Sequence, residues 1–237
     1  MSNKKYIYDD QASLWGDAEV VGFGDDAFYV KEIDRKLANS IIIKNHYSKK
    51  VYTATYIHLG LFVRGDLKGV LQYGYAMNPA SCGSVVEGTA MDQYLELNRM
   101  WIADDAGEYP ESRAISISAK YIKRKFPKIK WIQSFADERC GGFGIVYQAC
   151  SFAYYGEHIS SFWELDGETF HNSIKTSEKA GPRGFKLLND PANADRVEKQ
   201  SLRQFRYIKF IDSKWKKRCL LKECAYPKYY KAEDQTK

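Results

Sequence analysis

Residues 94 to 102 read YLELNRMWI, and this stretch decides the fold. Its apolar positions are Leu95, Leu97, Met100 and Ile102. They follow the two-residue period of a β-strand, except that the alternation shifts by one near Arg99. An extra residue in one strand of a pair produces such a shift and is called a β-bulge. The stretch therefore predicts a strand with a bulge near Arg99, in which Glu96 and Asn98 share one face.

The residues after this strand add two units of helix and strand. Ser112 is expected to cap a helix from Arg113 to Phe126, which Pro127 ends. A strand follows at Ile129–Phe135, then a short helix that begins within Gly144–Cys150. Phe152–Tyr155 completes the second unit as a further strand, after which a polar stretch is expected to leave the core.

The residues before Tyr94 predict a strand, a helix and a hairpin. Ala27–Val30 is rich in β-formers, and Glu32–Lys44 carries apolar residues at helical spacing. Thr55–Val63 and Lys68–Met77 form two strands joined by an Arg-Gly-Asp turn. The whole order is β-α-β-β-β-α-β-α-β, which predicts an α/β (α+β) protein with a mixed central sheet flanked by helices.

The composition indicates a globular cytoplasmic protein. Hydrophobic residues make up 44% of the 237 residues, enough to bury a core. The N-terminus is polar and no run of 18 apolar residues occurs, which argues against a signal peptide and a membrane span. The five cysteines are scattered without a Cys-x-x-Cys pair, so reduced thiols are expected rather than disulfides or a zinc ribbon.

The basic residues are concentrated in the last third of the chain. The net charge is +6, and residues 166–237 hold 17 lysines and arginines against 10 acidic residues. Aromatic residues are interleaved with them: Phe205, Tyr207, Phe210, Trp215, Tyr226, Tyr229 and Tyr230. Cations neutralise phosphates, and aromatic rings stack on unpaired bases. We therefore expect a core domain at 1–165 and a nucleic-acid-contacting extension at 166–237, with a linker at Ala180–Asp195; the alternative is a solvated tail whose rings pack on the core.

The predicted element order resembles that of the GNAT acyltransferases. The stretch GIVYQACSF, Gly144 to Phe152, is similar to the late helix and strand of that family. The resemblance implies that Tyr147 serves as the general acid. GNAT enzymes also bind the pyrophosphate of acetyl-CoA in a glycine-rich loop before the second helix. Here that position, Asp104–Glu111, carries four carboxylates and one glycine, which argues against acetyl-CoA as the group donor.

Several short phrases together resemble a narrower group, the phage Mom DNA-modification proteins. They run in the same order over residues 30–160: Asn45-His46-Tyr47-Ser48, Gly69–Gly74 with Met77-Asn78-Pro79, Glu96-Leu97-Asn98-Arg99, and Ser134–Asp137 followed by Tyr147. The resemblance implies an enzyme that converts adenine in double-stranded phage DNA to a carbamoylmethyl form and protects that DNA from host restriction. It also implies that iron is a candidate cofactor, held by His46 and Asp137. A monomer and a homodimer are both compatible with the sequence.

Alkylation of the exocyclic amine of adenine requires an accessible base and a group that takes a proton. Bases inside a duplex are stacked, so a flipped adenine is expected. His46, Tyr47, Asp137 and Tyr147 are the predicted catalytic residues. The predicted substrate-binding residues are Ser48, Tyr73, Glu96, Asn98 and Arg99. The predicted DNA contacts are Lys49, Lys50, Arg203, Arg206, Lys214, Lys216 and Lys217.

Ordinary structural roles remain open for these residues. A histidine at a helix end is often a capping group, and an aspartate after a strand often caps a turn. Tyr73 and Tyr147 also fit satisfied core tyrosines. Two other functions also remain open: a GNAT acyltransferase that acts on a small amine or a protein, and a GNAT-like DNA-binding module without catalysis.

Overall fold

The computed structural model describes residues 3–9, 18–138 and 142–228. The strands are β1 (Lys5–Tyr8), β2 (Val20–Asp25), β3 (Phe28–Glu32), β4 (Thr55–Val63), β5 (Asp66–Gly74), β6 (Tyr94–Ile102), β7 (Trp131–Asp137), β8 (Ala153–Leu165), β9 (Glu168–His171) and β10 (Glu198–Phe210). The helices are α1 (Arg35–Asn45), α2 (Pro110–Lys125), α3 (Ile145–Ala149), α4 (Asn172–Thr176) and α5 (Pro182–Asn189). The predicted mixed α/β class and the order β-α-β-β-β-α-β-α-β, which runs here from β3 to β8, are confirmed.

The chain forms two compact units, each built from separated segments. The first comprises Met1–Ser134, Ile145–Tyr154 and Tyr207–Tyr226, and the second comprises Phe135–Gly144, Tyr155–Arg206 and Pro227–Lys237. The second unit thus contains residues on both sides of the predicted boundary at 165, while the catalytic role of one part and the DNA-contacting role of the other stay predictions. Tyr229, Tyr230 and the turn residues 139–141 lie outside the described residues.

The sheet of the first unit runs in the order β1-β2-β3-β4-β5-β6-β7. Strands β1 to β6 pair antiparallel with their neighbours, and β6 pairs with β7 in parallel. The predicted hairpin of β4 and β5 is confirmed, with Val63 opposite Asp66. The sequence prediction missed β1 and β2, since β1 has four residues and two glycines interrupt the apolar run of β2.

The strand β6 contains the predicted bulge. Gln72 of β5 lies opposite Arg99, and the next residue, Tyr73, lies opposite Leu97. Asn98 is therefore the extra residue of the bulge. The parallel pairing of β6 with β7 extends from Tyr94 to Glu96, where Glu96 lies opposite Gln133. The bulge and the end of the parallel pairing thus occur within three residues of each other.

The helix α1 places the end of the stretch IIIKN beside the sheet. Asp34 caps its first turn and accepts hydrogen bonds from the backbone N–H groups of Lys36 and Leu37, at 2.7 and 3.3 Å. Ala38 and Ile42 are fully buried and pack with Val70 of β5. This contact fixes where the helix ends, and therefore where the residues after Asn45 begin.

The helix α2 starts three residues before the predicted point. Pro110 is its first residue, and Tyr109 precedes it with a φ of 49°. The prediction that Ser112 caps the helix is wrong, because proline has no N–H and its fixed φ suits the first helical position. The buried face includes Ile115, Ile122 and Tyr121.

The second unit contains the hairpin of β8 and β9, with Leu165 opposite Glu168. The strand order is β10-β8-β9. The polar stretch after Tyr155 was expected to leave the core, but β8 continues through it to Leu165. The predicted linker at 180–195 is also wrong, since α5 and a following 3₁₀ helix, Pro191–Arg196, occupy most of it. Leu188 of α5 packs with Leu165 and Phe170 and is 2% exposed, so the segment has a small core of its own.

The described helices are all too short or too polar to cross a membrane.

Candidate active site

His46 ends α1 and begins a tight turn. Its backbone N–H donates to the carbonyl oxygen of Ile42 at 3.0 Å, and its carbonyl accepts from the N–H of Lys49 at 2.8 Å. The side chain is 7% exposed, whereas the neighbouring Tyr47 is 58% exposed. The two rings lie 4.3 Å apart between centroids. The helix exit therefore combines a buried imidazole with an exposed phenol, which is compatible both with a capping role for His46 and with a role in the site.

The contacts of His46 assign its tautomer. The backbone N–H of Ser48 donates to Nδ1 at 3.1 Å, and the Ser48 hydroxyl lies 2.9 Å from the same atom. A backbone N–H is always a donor, so Nδ1 must accept and the proton of a neutral ring lies on Nε2. Burial, followed by the charge of Arg99, lowers the pKa of His46 to about 4. At neutral pH the ring is uncharged, and Nε2–H is a hydrogen-bond donor.

This tautomer predicts a specific NMR signature. In protein labelled with ¹⁵N-histidine at pH 7, His46 should show an unprotonated Nδ1 and a protonated Nε2. His171 has the same turn, with the N–H of Ser173 donating to Nδ1 at 3.2 Å, and should give the same pattern. Because the pKa of His46 is lowered to about 4, the ring should stay neutral at pH 5.5. A proton on Nδ1 at pH 7 would contradict the assignment.

Arg99 lies between the His46 turn and the sheet. Its Nε donates to the carbonyl oxygen of Lys50 at 3.2 Å, and one terminal nitrogen donates to the carbonyl of Asn98 at 2.7 Å. The guanidinium carbon is 5.7 Å from the centroid of the Tyr52 ring. Arg99 therefore ties the loop after α1 to the bulge of β6, which brings these two predicted phrases together.

The bulge carries a carboxylate held by two amides. The amide nitrogen of Asn98 donates to Oε1 of Glu96 at 3.0 Å and to the carbonyl of Tyr75 at 3.1 Å. The amide nitrogen of Gln133 donates to Oε2 of Glu96 at 2.8 Å. Gln133 was not among the predicted site residues, because its contact with Glu96 depends on the parallel register of β6 and β7.

Two predicted tyrosines differ in their surroundings. Tyr73 is fully buried, and its hydroxyl lies 2.5 Å from the Ser118 hydroxyl of α2. Burial raises the pKa of Tyr73 above its ordinary value. Tyr73 therefore has the contacts of a core tyrosine rather than of a substrate-binding one. Tyr147 is half-buried on α3, and its hydroxyl lies 2.9 Å from that of Ser134, which begins the phrase Ser134–Asp137 but was not among the predicted site residues.

Asp137 belongs to the second unit, at the end of β7, and is 9% exposed. Its predicted convergence with His46 stays a prediction.

Two arginines of the second unit were predicted to contact DNA. Arg203 donates from Nε and from a terminal nitrogen to Oε1 of Glu138, at 3.0 and 2.7 Å. These bonds lower the pKa of Glu138. The guanidinium of Arg206 lies 4.8 Å from the centroid of the Phe135 ring. Arg203 is thus held by a carboxylate, which would compete with a phosphate for its guanidinium.

The other predicted DNA contacts are exposed. Lys49 and Lys50 follow the His46 turn, and Lys214, Lys216 and Lys217 lie on a 3₁₀ turn after β10. Of the tail aromatics, Phe205 and Tyr207 are 1% and 0% exposed. Those two rings therefore pack in the interior and are not presented to bases.

Iron held by His46 and Asp137 stays a prediction, since the two residues belong to different units. Among residues 3–9, 18–138 and 142–228, no group of three or more His, Cys, Asp and Glu side chains is placed to hold a metal ion. A metal on Nε2 of His46 would also require the proton on Nδ1, which faces the N–H of Ser48. We derive no step through iron.

Comparison with known proteins identifies the family. The model of the Mom protein family matches residues 27–228. The chain belongs to the Mom protein family. A curated member, the methylcarbamoylase mom of Escherichia phage Mu, is 44% identical over 216 residues, which cover 90% of this chain and 88% of that protein. The resemblance carried by the short phrases around His46, Glu96 and Ser134 is thereby confirmed.

Solved structures with a similar fold are acetyltransferases. The ribosomal-protein-S5-alanine acetyltransferase of Vibrio fischeri has a TM-score of 0.48 and 10% identity, and the match covers 82% of this Mom family chain and 98% of that chain. The spermidine/spermine N-acetyltransferase of Vibrio cholerae has a TM-score of 0.47 and 11% identity, with 81% and 96% covered.

Proposed function

We propose that this Mom family member is a DNA-modification transferase that attaches a carbamoylmethyl group to the exocyclic amine of adenine in phage DNA. The observation that carries the proposal is the 44% identity to the phage Mu methylcarbamoylase over 90% of the chain. The arrangement of His46, Arg99 and Glu96 around the bulge of β6 supports it. The reaction would take place in the host cytoplasm and would protect the DNA from restriction.

The proposed step joins the adenine N6 to the methylene carbon of a donor that carries the carbamoylmethyl group on a leaving group. The C–N bond forms, the bond to the leaving group breaks, and N6 loses a proton. Glu96 is the proposed proton acceptor, because its carboxylate is fixed by Asn98 and Gln133. His46 is the proposed Nε2–H donor to the carbamoyl oxygen, rather than the general base, since its Nδ1 accepts from Ser48. The predicted catalytic roles of Tyr47, Asp137 and Tyr147 are retained as proposals without a contact assigned.

The test is mass spectrometry of nucleosides from the DNA of cells that express the protein. We expect a new deoxyadenosine derivative with the added mass of a carbamoylmethyl group. The derivative should be absent when Glu96 is replaced by alanine. Unmodified DNA from cells with abundant folded protein would contradict the proposal. Acetylated proteins or amines in place of modified DNA would support the acyltransferase alternative.

A further inference from the structure

Four tyrosines surround the bulge of β6 and have no assigned role. They are Tyr52, Tyr56, Tyr75 and Tyr94, and we call them the tyrosine cluster. The rings of Tyr56 and Tyr75 lie 5.1 Å apart between centroids at an angle of 46°. Tyr52 lies under the guanidinium of Arg99. Tyr75 is connected to the bulge through its carbonyl oxygen, which accepts from Asn98.

The hydroxyl of Tyr94 lies next to Tyr75, since it accepts from the backbone N–H of Ala76 at 3.3 Å. Burial raises the pKa of Tyr56 to about 12, and Tyr75 and Tyr94 contribute to the rise. Burial likewise raises the pKa of Tyr94 to about 12, with smaller contributions that include Glu96 and Tyr52. Both phenols are therefore neutral at physiological pH. Tyr94 is buried and stacks on Trp131, so Tyr56 is the more exposed ring of the two.

One polar atom at the cluster lacks a partner. Asn98 uses its amide nitrogen for Glu96 and Tyr75, while its Oδ1 is shielded from solvent and accepts no hydrogen bond from the residues that the structure describes. A flip of the amide would place oxygen against the two acceptors, so the orientation is fixed by its contacts. A buried acceptor without a donor is costly, and a ligand N–H would recover that cost.

The exposed ring of Tyr56 also indicates a ligand at the tyrosine cluster. It is 43% exposed although it contacts the ring of Tyr75. The exposed ring of Tyr56 packs on Tyr75, whose carbonyl accepts from the Asn98 amide, so an aromatic ring and a buried acceptor are joined through Tyr75. A planar heterocycle that carries an amine matches these two features. Adenine has this chemistry, since asparagine pairs with its N6 amine and aromatic rings stack on its face.

We propose that the tyrosine cluster is the pocket for the flipped adenine, with Tyr56 and Tyr75 stacking on the base and Asn98 Oδ1 accepting from its N6 amine. Because Oδ1 is shielded from solvent, this contact requires a local rearrangement that exposes it. The inference rests on the proposed function and extends it, because it names the residues that hold the base before the reaction. It also explains why Asn98 is the bulged residue, since a bulge alters the direction of a strand side chain.

The experiment compares two single-stranded oligonucleotides, one with a central adenine and one with an abasic site at that position. We expect the wild-type protein to bind the adenine form more tightly, as measured by fluorescence anisotropy. Tyr56→Leu should lower this preference by roughly 5- to 150-fold, the change that corresponds to the loss of one base–aromatic stack. Tyr56→Phe keeps the ring and should retain the preference.

The matched control is Tyr8→Leu. Tyr8 lies on β1 and is 46% exposed, close to the exposure of Tyr56. Equal preference for adenine in Tyr56→Leu, Tyr75→Leu and wild type would overturn the inference, as would a wild-type protein that does not distinguish the two oligonucleotides. If free adenosine monophosphate competed as well as the oligonucleotide at equal concentration, the site would be a nucleotide pocket and not a DNA-base pocket.

Failure of the proposed function would give a different result. If the pocket holds adenine but the DNA of expressing cells stays unmodified, the transferase proposal falls and the base-binding inference stands. If the DNA is modified but the protein has no preference for the adenine oligonucleotide, the pocket inference alone is overturned.

Discussion

Replacing His46 by alanine is expected to lower the rate of adenine modification by about 10²–10³-fold, the usual cost of removing one hydrogen-bond donor that stabilises a transition state. The imidazole is 7% exposed and its Nδ1 is occupied by the N–H of Ser48, so only Nε2–H is available to a ligand. His46→Gln supplies an amide N–H at a similar reach and should retain more activity than His46→Ala. Purified protein and DNA are incubated with cell extract, which supplies the donor. The rate of modification is then measured by mass spectrometry of the nucleosides.

The chain provides its own control for this experiment. His171 makes the same turn with Ser173, but caps the short helix α4 in the second unit. His171→Ala should lower the free energy of unfolding by about 1 kcal/mol, as loss of a cap does, and leave the modification rate unchanged. Equal losses of activity in His46→Ala and His171→Ala would show that the turn matters only for stability. A wild-type rate in His46→Ala would remove His46 from the mechanism.

The same turn at His46 and His171 shows which property of His46 the sequence alone could predict. The contact between Nδ1 and Ser48 spans two residues, so a local pattern was enough to place a histidine at a helix exit. The pattern could not distinguish a base from a donor. That distinction depends on the backbone conformation that directs the Ser48 N–H to Nδ1, which sets the tautomer. It also depends on the charge state of the ring, because burial and Arg99, 53 positions away in the chain, lower the pKa of the imidazole.

The fold was predicted where periodicity was strong and missed where it was weak. The bulge near Arg99 followed from a shift in the alternation of β6, and the structure assigns the extra residue to Asn98. In contrast, Gly181, Pro182 and Gly184 suggested a linker, although Pro182 begins α5 and Leu188 fills a small core. Glycine and proline mark boundaries of elements, and their density does not show that a segment lacks structure.

The sequence did not allow contacts between residues on different strands to be predicted. Glu96 and Asn98 were predicted to share a face, but the residue that completes their cluster, Gln133, is 37 positions away from Glu96. The prediction of β7 as a strand did not give its register against β6. A shift by one residue would turn Gln133 to the other face and remove the contact.

A second large effect is expected at the contact between Glu96 and Gln133. Gln133 is 5% exposed and donates to Glu96, so Gln133→Glu would place two carboxylates against each other. We expect a loss of about 2–5 kcal/mol in the free energy of unfolding at pH 7, measured by urea denaturation. One of the two carboxyl groups should have a pKa raised above that in the unfolded chain. The folded state then binds more protons, so the variant should regain stability as the pH falls through that raised pKa.

Exchanging the two residues separates the structural role of Glu96 from its chemical one. Glu96→Gln alone leaves one of the two amide donors, Asn98 or Gln133, without an acceptor and should cost about 1–3 kcal/mol. In the double variant with Gln133→Glu, the amide of residue 96 donates to the new carboxylate and still accepts from Asn98, so the stability should return to within about 1 kcal/mol of wild type. The negative charge then lies on β7 instead of β6. If Glu96 takes the proton from N6, the restored protein stays inactive, because the carboxylate is displaced from the base. If modification returns with stability, Glu96 only holds Asn98 and Gln133 in place, and the proton acceptor must be another group.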